Sequence, residues 1–432
     1  MRKSHKMTIK CASNAHPYII NQQTIMDHTS SGQFIKRRLD ELAASGSGEY
    51  IWRPSFSKDY MNAAELLKGW LDDEGFRVYV DPVGNVFGRI DGESDGVALF
   101  GSHLDTVKDG GKYDGAAGIV TALTAISETV RRLGRPRKSI EVVALVEEEG
   151  SRFLSSYTGS KAITGKFSFS DLDEKDSEGI SIRDALRAAG LEGWNEEAFA
   201  GAARSDIDSF VELHIEQGPV LENKGLNIGV VTSIVGLCSY YVTIRGKQNH
   251  AGTTPMSMRL DPVAAASEFI VGMTEYTRMV SDSAVFTVGG IHAYPGISNV
   301  IADSVRLELD FRDGVGGALD EIRAELRRQA ESLEAQGFEV IVDIRCDEDP
   351  VSLDPSIVDM IDDSVRECGL KYMRMNSGAG HDSQIFADMV PTGMIFIPSH
   401  DGISHSPLEY TSEEDLSRGE MVLEKVIEKL AY

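Results

Sequence analysis

Histidines and carboxylates recur in this chain at one kind of place, directly after an apolar run. "VALFGSHLD" ends in His103 and Asp105, "EVVALVEEEG" ends in Glu147, Glu148 and Glu149, "SFVELHIEQG" carries His214 and Glu216, and "GMIFIPSHDGISHSP" leads to His400 and His405. Near-continuous apolar runs are the mark of strands covered on both faces, and in open α/β sheets the ligand crevice lies outside the carboxyl ends of such strands. Asp114, in "GGKYDGAAG" at the start of a helix, follows His103 closely enough to fold back onto the same rim. Imidazole and carboxylate donors without a thiolate suit zinc, manganese or cobalt and argue against an iron–sulfur or cysteine-type site. Three consecutive glutamates at the end of a buried strand are tolerable if one or two bind a dication and another stays free as a base. Any one of these histidines alone is more often a hydrogen-bonded core or surface residue, and a triple glutamate alone is usually a solvated turn. The coincidence of four strand ends favours the metal reading.

The elements that must position these groups follow from periodicity. "SKDYMNAAELLKGWLDDEG" has helical spacing (Met61, Ala64, Leu67, Leu71) and stops at Gly75. "FRVYV", "NVFGRI" and "GVALFGSH" read as strands, "GAAGIVTALTAISETVRRLG" as a helix and "SIEVVALV" as a buried strand. From about Gly229 the texture changes to the order β-α-β-β-α-β, with Val305, Leu307, Leu309 and Phe311 alternating cleanly in "SVRLELDFRD". That order is a complete split βαβ sandwich. The expected fold is therefore α/β: a mixed-sheet catalytic domain over 31–228 and 350–432, with an inserted α+β domain over 229–349. Residues 1–30 read as a loosely held polar tail.

Composition narrows the function. A chain of 432 residues is long enough for two domains, and its 68 acidic against 43 basic residues leave a net charge of −25, which disfavours nucleic acid and anionic membrane as partners. Cys11, Cys238, Cys346 and Cys368 are scattered, without CxxC spacing, and fit a reducing cytoplasm. No apolar stretch approaches the roughly 18 residues of a membrane helix, and the basic start lacks an apolar signal core.

Taken together, "GSHLDTVKDGGKYDGAAG", "EEEGSRF", "ELHIEQGPVLE", "NHAGTTPMSMRLDP", "SNVIADSVRLELDFRD", "SGAGHDSQIFA" and "GISHSP" resemble the amidase, hydantoinase and carbamoylase branch of the dinuclear metallopeptidase-like hydrolases. The similarity runs from about residue 33 to the C-terminus. It implies a homodimer formed through the inserted lid domain, with two divalent metal ions per subunit, zinc or manganese, with cobalt or nickel as further candidates. Carried over residue by residue, His103, Asp114 and His214 look like ligands of one metal. Glu149 and His405 look like ligands of the second, with Asp114 as the bridge. Glu148 looks like the general base, Asp105 would orient the His103 imidazole, and Glu147 is left as structural. His250 on the lid would stabilise the oxyanion in the partner chain's site. Arg312 matches a carboxylate-binding arginine, Gln217 and Asn299 look like substrate amide contacts, and His381 lines the pocket. The implied substrate is a small ureido acid: N-carbamoyl-L-amino acids rank ahead of allantoate. A dimetal dipeptidase, which would need an acidic group for an ammonium, and a non-catalytic scaffold with a broken ligand set are the competing classes.

Overall fold

The computed structural model describes residues 28–432 apart from 49, 154, 192–195 and 315. The chain opens with α1 (His28–Ala44) and α2 (Lys58–Asp73), the second capped by the Ser57 hydroxyl on the Tyr60 N–H. The first helix begins inside the stretch expected to be tail, so residues 28–30 are helical, while 1–27 lie outside the described residues. Ile35, Leu39 and Leu42 give it one buried stripe, and it packs on the C-terminal helix. Then come β1 (Arg77–Val80), β2 (Val86–Ile90), β3 (Ser94–His103), α3 (Ala116–Leu133) and β4 (Lys138–Leu145). Three short helices, α4 (Thr158–Ile163), α5 (Ile182–Ala188) and α6 (Glu196–Ala200), lead to β5 (Ile207–Ile215), and α7 (Val220–Lys224) leads to β6 (Ile228–Ile234).

The next segment builds a second layer from β7 (Gly236–Arg245), β8 (Asn249–His250), α8 (Pro262–Val280), β9 (Val285–Tyr294), β10 (Val300–Ile301), β11 (Ser304–Asp313), α9 (Gly316–Ala335) and β12 (Glu339–Glu348). The chain closes with β13 (Val351–Ser352), α10 (Pro355–Glu367), β14 (Tyr372–Ser377), α11 (Asp382–Phe386), β15 (Thr392–Ile397) and α12 (Glu413–Ala431). No helix among the described residues is long and apolar enough to cross a membrane.

The large sheet has the order β1-β2-β4-β3-β5-β15-β6-β13, with β14 beside β6. Its four middle strands, β4, β3, β5 and β15, run parallel. Register sets His103 opposite Leu145 and Phe396 opposite His214, so the ends that carry the polar groups are level. The strands are apolar because both faces are covered: Phe100, Val142, Leu213 and Ile395 are fully buried. Each such side chain contributes roughly 1.5–3 kcal/mol by leaving water.

The smaller sheet runs β12-β7-β11-β9, antiparallel throughout, with the two-stranded ribbon β8–β10 beside it. Val305, Leu307, Leu309 and Phe311 face α8 and α9 in a separate core with Phe269, Met273, Ile322 and Leu326. Because strand side chains alternate, Arg306, Glu308, Asp310 and Arg312 lie on the face away from the helices. The second layer starts at Gly236 rather than 229, because β6 pairs with β15, β14 and β13 in the large sheet. "IGVVTSI" is as apolar as any strand on either side, and nothing in it tells which sheet it joins.

Candidate metal centre

Two of the imidazoles at the crevice have their tautomer set by the backbone. His103 Nδ1 lies 3.0 Å from the Asp105 carbonyl and His214 Nδ1 lies 2.9 Å from the Ile215 carbonyl. A carbonyl only accepts, so both Nδ1 atoms carry the proton and both Nε2 atoms present lone pairs inward. Those Nε2 atoms are 3.5 Å apart and lie 3.3 Å and 3.1 Å from Asp114 Oδ1. On the other side of the same carboxylate, His405 Nε2 is 3.3 Å from Asp114 Oδ2 and 3.4 Å from Glu149 Oε2. Donor sets with atoms within 4.8 Å of one another include His103, Asp114 and His214; Asp114, Glu149 and His405; His103, Glu148 and Glu149; and, behind His214, Glu212, His214 and His381. Converging lone pairs and carboxylates repel unless a cation or protons stand between them, and Glu149 Oε1 is buried without a partner among the described residues. The donor set fits dications with Asp114 between two positions.

Local structure explains the convergence. Gly115 caps α3 at φ 62, and a Cβ there would sit 2.5 Å from the His103 ring, so only glycine lets Asp114 turn back over His103. Glu147, Gln217 and His405 are non-glycine residues in the left-handed region, at φ 55, 56 and 53. Each costs about 1–3 kcal/mol and persists because neighbours hold it. Glu147 accepts from the N–H groups of Arg152 and Phe153 at 3.1 and 2.8 Å, and Gln217 is tied through its N–H to Ser399 Oγ at 3.0 Å.

The Asp105 carboxylate does not take the His103 ring proton; its Oδ1 is 4.0 Å away, and its two oxygens instead accept the backbone N–H groups of Glu148 and Glu149, both at 3.2 Å. It thus fixes the peptide carrying both glutamates. Burial, reinforced by Glu149, Asp382 and Asp105 and opposed by His103, holds the Glu148 carboxyl well above its ordinary range. Burial and the Asp114 charge push Glu149 up to about 7. Burial would depress the His103 imidazole, but Glu148, Asp114 and Asp105 more than offset it and hold it high. A dication arriving here displaces protons.

The remaining residues expected at the site divide in two. Gln217 Nε2 donates to Asp114 Oδ2 at 2.8 Å. His381 is buried edge-on to His214, 4.6 Å between ring centroids, with Nε2 2.8 Å from Ser377 Oγ; burial and the His214 charge hold it well below its ordinary range, so it is neutral. Arg312 reaches the same loop, Nη1 donating to the Gly378 carbonyl at 3.1 Å while Nε pairs with Asp310 at 3.0 Å. His250 on β8 and Asn299 just before β10 are both exposed and lie together, the Ala251 N–H donating to the Asn299 carbonyl at 3.0 Å. The hydrogen bonds of the His250 ring are local, to the N–H groups of Gly252 and Thr253. Glu216 caps α7 by accepting from Val220 and Leu221, and exposed His400 pairs with Glu222 at 2.7 Å. Neither belongs to the donor sets around Asp114.

Sequence reasoning missed several groups. Glu409 Oε1 accepts the N–H groups of Tyr113 and Asp114 at 2.8 and 3.0 Å, and Ser404 Oγ lies 2.9 Å from both Asp114 Oδ2 and Glu409 Oε2. Both flank His405 in "GISHSPLE", which was the only signal available. Arg53 is buried with Nε donating to the Leu104 carbonyl at 3.1 Å; burial lowers it to about 10, with Asp105 opposing. Tyr157 stands beside Gly380.

Residues 99–429 match the profile of Peptidase family M20/M25/M40. An allantoate amidohydrolase of Bacillus subtilis (strain 168) is 39% identical over 398 residues, 91% of this chain and 96% of that protein. An N-carbamoyl-L-amino acid amidohydrolase of Geobacillus stearothermophilus is 37% identical over 408 residues, 93% and 98% of the two chains. An amidase of the hydantoinase/carbamoylase family from Burkholderia multivorans has the same fold, with a TM-score of 0.86 at 31% identity over 92% of this chain and 97% of that one. With its profile match, these relatives and a donor set grouped on Asp114, the chain belongs to the M20/M25/M40 peptidase family and to its hydantoinase/carbamoylase amidases, hydrolases of linear carbon–nitrogen amide bonds.

Proposed function

We propose that this enzyme cleaves the carbamoyl C–N bond of a ureido acid, N-carbamoyl-L-amino acids first and allantoate as the alternative, releasing ammonia and carbon dioxide. The observation that carries the reading is Asp114, whose two oxygens face His103 and His214 on one side and His405 on the other, with Glu149 next to His405 and Glu148 alongside. Two divalent ions held there by His103, Asp114, Glu149, His214 and His405, zinc or manganese and otherwise cobalt or nickel, would supply Lewis acidity to the ureido carbonyl and to the attacking water. Glu148, held high by its buried setting, takes the water's proton and returns it to the departing nitrogen. Ammonia leaves, and the carbamate that remains loses carbon dioxide to give the free amine.

Arg312, on the small sheet's open face, takes the substrate carboxylate as a two-pronged partner. Gln217 and Asn299 take amide groups, and neutral His381 closes the wall behind His214. His250 works on the oxyanion from the neighbouring subunit. The segment 236–348 acts as lid and dimerisation domain. Its support is a set of exposed apolar side chains on α8 and the neighbouring edge strand β9: Val271, Met279 and Ile291 are each more than half exposed in the single chain. A dipeptidase would put an acid where Arg312 stands.

Ammonia release by chelator-stripped protein reconstituted with manganese or zinc tests the reading, with N-carbamoyl-L-amino acids, allantoate and a dipeptide compared. Metal-restored release from a ureido acid is expected; dipeptide cleavage with silence on every ureido acid would overturn it.

A further inference from the structure

Tyr157 lies on the loop between the glutamate run and α4, in a left-handed conformation at φ 65 and ψ 29. A Cβ built on Gly380 would meet its hydroxyl at 2.2 Å, so the phenol oxygen rests against a bare Cα. Gly380 sits between Gly378, whose carbonyl accepts from Arg312 Nη1, and His381, whose ring packs on His214. Among the described residues the hydroxyl has no hydrogen-bond partner, although the side chain is half-buried. Burial and the charges of Glu148 and Asp382 raise its pKa, so it is a neutral donor. On the ureido-acid reading, a substrate held between Glu148 and Arg312 would lie beside this donor.

We propose that the Tyr157 hydroxyl reads the substituent on the substrate's α-carbon by donating a hydrogen bond to a carbonyl oxygen there. The site then favours ureido acids whose substituent carries an amide or a second ureido group over those with an aliphatic one. This rests on the ureido-acid reading above and names the substrate class within it. An aliphatic substituent covers the hydroxyl without giving it a partner, and a donor stripped of water and left unpaired is what makes polar pockets selective.

The test compares kcat/KM for allantoate, N-carbamoyl-L-asparagine and its near-isostere N-carbamoyl-L-leucine in the wild type and in Tyr157→Phe, which keeps the ring and its packing. The wild type is expected to favour the first two, and the variant to lose about five- to thirtyfold on them, the worth of one hydrogen bond, while the leucine compound improves because no donor is left stranded beneath it. Gly380→Ala, which displaces the hydroxyl without removing it, is expected to lower the same ratio. Equal losses on all three substrates would assign Tyr157 to packing and overturn the proposal, as would an unchanged ratio. A wild type that releases ammonia from none of the three overturns the ureido reading together with this one.

Discussion

Glu148 and Glu149 are adjacent, buried and fixed by one carboxylate, Asp105, yet they face different partners. Glu149 approaches His405, while Glu148 lies 3.9 Å from His103 Nε2 and joins no donor set with Asp114. Glu148→Gln is therefore expected to lower kcat by about 10²- to 10⁴-fold, with metal content by elemental analysis unchanged; near wild-type turnover would remove Glu148 from the role of base. Gly115→Ala carries a second prediction at this scale. Its methyl would enter the space of the His103 ring, so weaker metal binding by calorimetry is expected with the fold retained by circular dichroism. Unchanged affinity would show that His103 can move aside at no cost.

Among the elements, α12 holds α1 and α3 to the large sheet. Glu420 and Glu424, one turn apart, are both buried on it, with Arg132 2.9 Å from Glu424 and Ser31 3.3 Å from Glu420. Burial and Glu420 push the Glu424 carboxyl up to about 8, with Arg132 opposing. Its unfolded value lies near 4.5, so the native state binds the proton more tightly. The contribution to stability is complete below that pH and is lost as pH rises towards about 8. Glu424→Gln, which cannot ionise, is expected to flatten the fall of Tm between pH 5 and 8.5; a parallel pH profile for variant and wild type would contradict this. Periodicity found most of the elements, because Val305 to Phe311 alternate and α2 keeps one apolar stripe. It passed over α1, where Ile35, Leu39 and Leu42 are diluted among charged and polar residues, and the short helices α4 to α7, which hold too few residues to show a period. At the site, the groups that converge on Asp114 were legible as candidate donors because strand ends concentrate them. Asp105 was legible as the residue that orients His103, but not that its carbonyl does so while its carboxylate holds the glutamate N–H groups, since the two are indistinguishable in sequence. Glu409 and Tyr157 work through contacts that only tertiary structure creates.

For the whole molecule, the proposed function would put the metals on one layer and draws Arg312, Asn299 and His250 from the other, which makes the arrangement of the two layers part of the proposed chemistry. If α8 and β9 form the dimer face, Met279→Glu together with Ile291→Glu is expected to give monomers in light scattering and to lower kcat by removing His250 from the neighbouring crevice. Monomers with full turnover would place oxyanion stabilisation within one chain. In the proposed mechanism Asp114 joins two dications that do the hydrolysis. The most direct test titrates metal into stripped protein while bound metal and ammonia release from a ureido acid are measured in the same samples. Two equivalents per chain, with turnover rising as they bind and His405→Ala retaining one, is the predicted result; full ammonia release from stripped protein would contradict it.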